Sequence, residues 1–247
     1  MKTGDIYQLG EHRLACGDGT DSQLVEKLIG SEQVRLILTD PPYGVAYVES
    51  KASLVKNMTH TAIQNDQNQS AEQYEAFTKT WLHVVVPHLT KKNASYIFNS
   101  DKMLFALRDG MLAADVRFSQ LLIWVKTQAV IGRLDYLPQH ELIAYGWHGT
   151  HKFMQSKDKS VLAYPKPSKS KLHPTMKPVG LLRNLILNSS RIGEVVYDPF
   201  GGSGSTLMAC EQTKRKCLMV ELDPKYCQVI IDRWQMLTGL EARHVED

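Results

Sequence analysis

An α/β domain built on an open, largely parallel sheet is the reading the sequence supports, and three observations carry it. Apolar runs of strand length alternate along the chain with segments of helical periodicity, the pattern of strands joined by crossover helices. Two short motifs, Asp40-Pro41-Pro42-Tyr43 and Asp198-Pro199-Phe200-Gly201-Gly202-Ser203-Gly204-Ser205-Thr206, each follow directly on an apolar run, which puts both where such a sheet holds its ligands. The length, 247 residues, suits one substantial core in a single domain over 1–247 with an insertion at 148–172.

Taken in order, residues 6–15 read as a short hairpin and 21–29 as a helix capped by Asp21. Residues 34–39 form a buried strand feeding the Asp40 turn. The stretch 44–69 that follows is long, polar and unpatterned, the kind of loop that is functional or disordered. Residues 71–89 read as a helix interrupted near Pro87, 94–99 as a strand, 102–112 as a helix, and 118–125 and 141–147 as strands. Beyond the insertion come a helix over 179–190, a strand at 194–197, a helix at 206–212 and a strand at 217–221. The last helix, 224–238, has Asp223 as N-cap, Pro224 at its first position and Gly239 beyond its end, with Tyr226, Ile230, Trp234 and Leu237 expected on its buried face.

Composition excludes several classes. No apolar run approaches the length of a membrane span and the first residues lack a signal-peptide core, so a cytoplasmic protein is expected. The four cysteines form no C-x-x-C pair, so no zinc site, no disulfide framework and no metal is expected. The net charge is only +3, but residues 151–177 carry seven lysines against Asp158 alone, a local +6 that leaves −3 for the remainder. Phe153 and Tyr164 interleave with those lysines, and Pro165, Pro167 and Pro174 hold the segment extended, a composition suited to tracking phosphates. Neither this segment nor 44–69 has the periodicity of a packed element, so both are expected to be mobile until bound.

The two motifs carry the chemistry. Asp40-Pro41-Pro42-Tyr43 offers a carboxylate, two prolines whose neighbouring carbonyls lack competing N–H groups, and an aromatic plate, a set that grips a flat ring and its amine. The glycine motif bends tightly enough for backbone to approach a ligand. It lacks the lysine of a phosphate-binding P-loop, and Leu207 stands where the third glycine of a dinucleotide fingerprint falls. Glu221 ends a strand 19 residues beyond Gly202, close to the spacing at which an acid meets ribose hydroxyls.

On these residues the chain resembles the amino-methyltransferases of DNA, which move a methyl group from S-adenosylmethionine to the exocyclic nitrogen of a base. With the Asp40 motif ahead of the glycine motif, it resembles their permuted β group of bacteria and phages. Further phrases agree: Cys16-Gly17-Asp18, His173-Pro174-Thr175-Met176-Lys177-Pro178, and, around the target pocket, Ile123-Trp124-Val125-Lys126, Gly132-Arg133 and His140-Glu141. The resemblance implies a class I methyltransferase fold, Rossmann-like, with seven mostly parallel strands and helices on both faces. It assigns catalysis to Asp40, Pro41, Pro42 and Tyr43. It assigns S-adenosylmethionine to Asp18, Asp40, His173, Thr175, Lys177, Asp198, Phe200, Gly201, Gly202, Ser203, Gly204, Ser205, Thr206, Glu221 and Leu222, the HPTxKP phrase at the methionine end. Double-stranded DNA would meet Arg133, Lys152, Lys157, Lys159, Lys166 and Lys169. Asp40 would accept one amino N–H and the Pro41 carbonyl the other, while Tyr43 stacks on a flipped-out base. Aspartate in that motif implies adenine N6, because the cytosine-N4 relatives more often carry Ser-Pro-Pro-Tyr. Cytosine N4, a catalytically silent DNA-binding subunit, and a homodimer stay open.

Overall fold

The computed structural model describes residues 1–43, 69–129, 135–155, 158–165 and 176–245. The chain begins with a hairpin, β1 (Ile6–Leu9) and β2 (His12–Cys16), turned over Gly10 at φ 57°. Helix α1 (Ser22–Ile29) follows, with the Asp21 side chain accepting from the N–H groups of Gln23 and Leu24 as an N-cap should. Strand β3 (Val34–Thr39) has all six residues buried, which a strand covered on both faces requires.

Helix α2 (Ala71–Val85) opens on a reciprocal capping box between Ser70 and Gln73 and ends where Pro87 enters a 3₁₀ turn, Val86–His88. Next come β4 (Leu89–Asn99), α3 (Leu104–Ala113), β5 (Arg117–Val125), β6 (His140–Trp147) and β7 (Val161–Ala163). The chain finishes with α4 (Val179–Ser189), β8 (Val195–Asp198), α5 (Ser205–Thr213), β9 (Lys216–Glu221), α6 (Pro224–Thr238) and β10 (Arg243–Val245).

Among the described residues ten strands form one sheet, in the order β10-β1-β2-β9-β8-β3-β4-β6-β5-β7. Seven strands were expected, and seven make its centre: β2, β9, β8, β3, β4 and β5 run one way, with β6 antiparallel between β4 and β5. The additional strands are at the edges. β1 belongs to the expected hairpin, whereas β7 and β10 have three residues each, too short to leave a period-2 signature in the sequence.

Alternation along each strand sorts the core into two faces. Leu36, Leu38, Tyr96, Phe98 and Trp124 meet α4, α5 and α6, whereas Ile37, Ile97, Tyr197, Leu218 and Val220 meet α1, α2 and α3. Helices therefore cover both faces. On α6 the buried stripe is Cys227, Ile230, Ile231 and Trp234; Tyr226 and Leu237, expected there, are displaced from it by about one position, and Leu237 is exposed.

The insertion departs from expectation more sharply. Its residues 161–163 add a strand to the free edge of β5, with Ile123 opposite Val161 and Val125 opposite Ala163, and Leu162 joins the core. One apolar side chain suffices because the ladder supplies the rest, so periodicity had nothing to report. The segment is tied down further by the Asp158 carboxylate, which accepts from Asn184 and Asn188 of α4 at 2.9 and 2.6 Å. The described part of this segment is thus packed, contrary to the mobility read from composition. Most of 44–69 lies outside the described residues.

Candidate active site

At the centre of the sheet the chain leaves β8 toward β9 on one side and β3 toward β4 on the other. A crevice must open between the carboxyl ends of β8 and β3, where open α/β sheets bind ligands. A cavity of about 350 Å³ lies there. The loops after β2, β3, β4, β8 and β9 wall it, with the end of β5 and the head of the antiparallel β6. The two strand ends are stitched together by the Thr39 hydroxyl, which donates to Asp198 Oδ1 at 2.7 Å.

The β8 side is a cradle made of glycine backbone. Gly201 N–H donates to the Val220 carbonyl at 2.8 Å, and a Cβ on Gly201 would stand 2.7 Å from the Met219 side chain, so only glycine lets the loop lie against β9. Gly202 N–H donates to Glu221 Oε2 at 2.6 Å, and Glu221 Oε1 accepts from Asp223 N–H at 2.9 Å. Each carboxylate oxygen has lone-pair capacity left, and the residue lines the cavity. Burial raises the Glu221 pKa to about 7 against the two backbone donors. Asp198 is likewise pushed up by burial, to about 6, although Thr206, Thr39 and the Phe200 N–H hold its charged form.

The β3 side carries a cluster of ionisable groups. Asp40, Pro41, Pro42 and Tyr43 all line the same cavity. Tyr43 donates its hydroxyl to Asp40 Oδ1 at 2.6 Å, and Lys177 Nζ sits on Asp40 Oδ2. Lys177 also lies 3.1 Å from Glu141 Oε2, and Glu141 Oε1 lies 2.7 Å from Lys126 Nζ. Burial is the largest influence on each of Asp40, Glu141 and Lys177. It wins at Asp40, whose pKa is raised; at Glu141 the two ammonium groups outweigh it and lower the pKa; at Lys177 the two carboxylates outweigh it and keep the ammonium charged.

The structure brings most of the expected site together. Asp18, Asp198, Phe200, Gly201, Gly202, Ser203, Ser205, Thr206, Glu221 and Leu222 line one cavity with Asp40. Asp18 spends one oxygen on the Thr20 backbone and hydroxyl, both at 2.8 Å, and Phe200 is wedged between Phe77 and Trp81 at 5.6 and 5.7 Å between centroids. Gly204, expected at the cofactor, stands outside the lining; at φ 79° it faces Ile230 of α6, where an added Cβ would come within 3.0 Å. Lys177, expected at the cofactor's methionine end, is seated on Asp40. Tyr43, expected to stack on a base, has its hydroxyl committed to Asp40.

Two of the lysines expected on DNA can be placed. The Lys152 carbonyl accepts from Arg35 Nη2 at 2.8 Å, and Arg35 is at the starting end of β3. Five residues of strand, roughly 16 Å, separate that point from Asp40, so Lys152 lies toward the end of the sheet opposite the cavity. Lys159 is exposed beside Asp158, ahead of β7. Arg133, Lys157, Lys166, Lys169, His173 and Thr175 lie outside the described residues.

Lys126 and Glu141, whose phrases were expected around the target pocket but without a role for either side chain, line the same cavity. The signal that could have found them is the one that marks Asp40: a charge at the end of an apolar run, here after β5 and at the head of β6, where a buried strand end leaves it facing a crevice.

Comparison with known proteins bears on this geometry. A family described as DNA methylase matches residues 34–232. The type II methyltransferase M.HpaI of Haemophilus parainfluenzae is 25% identical over 249 residues, covering 90% of this chain and 74% of its own length. The crystal structure of an M1.HpyAVI-SAM complex matches with a TM-score of 0.66 at 21% identity, over 89% of this chain and 98% of that one. The PvuII DNA methyltransferase, described as cytosine-N4-specific, matches with a TM-score of 0.67 at 15% identity, over 93% and 94%. These structural likenesses show a methyltransferase fold.

Proposed function

We propose, from the premise that the chain belongs to the DNA methylase family, that this DNA methyltransferase moves a methyl group from S-adenosylmethionine to N6 of an adenine rotated out of duplex DNA. The motif order, with Asp40 ahead of the glycine loop, supports the permuted β group. The observation that carries the reading is that one cavity joins the Glu221 and glycine-loop wall to the Asp40 carboxylate.

The cavity fits the cofactor chemically. A buried carboxylate with spare lone pairs stands beside a glycine backbone that a ligand can approach, which suits ribose hydroxyls at Glu221 and the adenosine end along Gly201 to Ser203. When bound, S-adenosylmethionine supplies an electrophilic methyl carbon whose bond to sulfur breaks with its electron pair returning to sulfur. The protein's part is to make a poor nucleophile attack. An adenine amine has its lone pair delocalised into the ring, and a carboxylate accepting one N–H with the Pro41 carbonyl accepting the other turns that pair toward the methyl group. Asp40 also stabilises the positive charge that grows on nitrogen, and it is the nearest acceptor for the proton shed after transfer. Rotating the base out costs a few kcal/mol, which cationic contacts to phosphate offset.

Cytosine N4 is the second reading, favoured by the likeness to the PvuII enzyme; Asp40 supports adenine. Incubation of duplex DNA with the protein and methyl-labelled S-adenosylmethionine, followed by digestion to nucleosides and mass analysis, separates them. N6-methyladenine is expected, N4-methylcytosine would establish the second reading, and DNA without methylated bases would overturn both.

A further inference from the structure

We propose that Lys177 is an exchangeable counter-ion, resting on Asp40 and passed to Glu141 when the target amine arrives, with Glu141 and Lys126 as the positioning residues that make the exchange possible. The inference rests on the methyltransferase reading and gives that site a switching element.

Its starting point is that both oxygens of Asp40 already have partners, Tyr43 on Oδ1 and Lys177 on Oδ2. Each oxygen keeps a lone pair for an amine, but an amine donating to Oδ2 shares that oxygen with the Lys177 ammonium. Leaving Lys177 in place would set an ammonium beside a nitrogen acquiring positive charge, a like-charge contact in a site with little water to screen it. Removing it altogether is no better, because a half-buried carboxylate that loses its cation holds its proton more tightly and becomes a poorer acceptor.

The geometry offers a third course. Glu141 Oε2 is 3.1 Å from the same ammonium, so Lys177 can lean on Glu141 without leaving the two carboxylates. Glu141 does not follow it, because Lys126 holds Oε1 at 2.7 Å, itself fixed at the end of β5 with its ammonium 5.3 Å from the Trp124 ring. The ammonium of Lys177 lies 5.0 and 5.9 Å from the Phe98 and Tyr43 rings, aromatic faces that accommodate a cation at either station. Lys126, Glu141, Lys177 and Asp40 together are neutral, so the row can be buried. The groups that face Asp40 or this row are Tyr43 from its own loop, Glu141 from β6, Lys177 from the segment before α4, Lys126 from β5, Asp198 from β8, and His140 beside Glu141 on the cavity wall.

The test is the pH dependence of methyl transfer by the full-length protein on duplex DNA, at saturating DNA and S-adenosylmethionine so that titration of Glu221 does not enter. Lys177→Met removes the positive neighbour of Asp40, and the acidic limb of kcat should move to higher pH by about one unit or more. Glu141→Gln removes the negative neighbour and leaves Lys177 bound to Asp40 alone. Its limb should move the opposite way, to lower pH, with kcat on the plateau reduced about tenfold and partly restored in Glu141→Asp. Opposite displacements are what a merely structural role would not produce. If Lys177→Met does not fold, the downward displacement in Glu141→Gln and its partial rescue decide the matter. Limbs that stay in place or move together would overturn the exchange while leaving the methyltransferase reading intact. DNA left unmethylated by the unaltered protein would overturn both.

Discussion

Replacing Glu221 with glutamine tests the cofactor wall through binding and through pH. The residue holds two backbone N–H groups at 2.6 and 2.9 Å and is buried, and its pKa stands at about 7 where 4.5 is ordinary. Hydrogen bonds to a charged acceptor are worth about 1.5–3 kcal/mol, so losing the charge should weaken S-adenosylmethionine binding roughly 10- to 100-fold at pH 8. Ribose hydroxyls prefer the anion. Affinity of the unaltered protein should therefore rise as pH passes through about 7 and level off above it, and Glu221→Gln should be flat. Stability should move in the opposite sense. A folded-state pKa raised above the unfolded value contributes stability that is complete below 4.5 and lost as pH rises through about 7. The advantage of the unaltered protein over Glu221→Gln in unfolding free energy should accordingly shrink by up to roughly 3 kcal/mol between pH 4.5 and 8. Calorimetric titration with cofactor alone and denaturant unfolding, each at several pH values, measure the two. A glutamine variant with unchanged affinity and the same pH slope would refute the assignment of Glu221 to the ribose.

Three further outcomes are expected. Gly204→Ala forces a side chain into φ 79° and against Ile230, so it should cost about 1–3 kcal/mol of stability with little effect on cofactor affinity, since Gly204 stands outside the cavity lining; an unchanged thermal midpoint would refute the packing argument. Lys152→Ala should leave the salt dependence of DNA binding unchanged, since Lys152 lies toward the opposite end of the sheet. Substituting Lys157, Lys166 and Lys169 should instead flatten log affinity against log salt by about 0.9 for each phosphate no longer neutralised, on target and non-target duplexes alike, and a triple variant with the original slope would place DNA elsewhere.

What the sequence reveals and what it hides have physical reasons. Buried strands such as β3 and well-capped helices such as α6 announce themselves, because an apolar run, an N-cap aspartate, Pro224 and Gly239 are local signals. The motifs also place Asp40, Glu221 and the glycine loop at strand ends, where the structure has them. β7 and β10 stay hidden because three residues carry no period and their stability comes from the strand they join. The seat of Lys177 on Asp40 is hidden for a related reason: its contacts with Asp40 and Glu141 span 137 and 36 residues of sequence, and no local pattern encodes which carboxylate a lysine meets. Composition likewise marks 151–177 as basic, but it cannot show that Leu162 fills a core position and that Lys152 stands away from the cavity.

The central claim is that Asp40 aligns the target amine for methyl transfer. Single-turnover transfer and cofactor affinity, measured side by side on the unaltered protein and on Asp40→Ala, test it most directly. The account predicts that transfer falls at least about a hundredfold, the loss of one hydrogen bond to a developing charge, while S-adenosylmethionine affinity stays within a few-fold. Near-normal transfer by Asp40→Ala would contradict it.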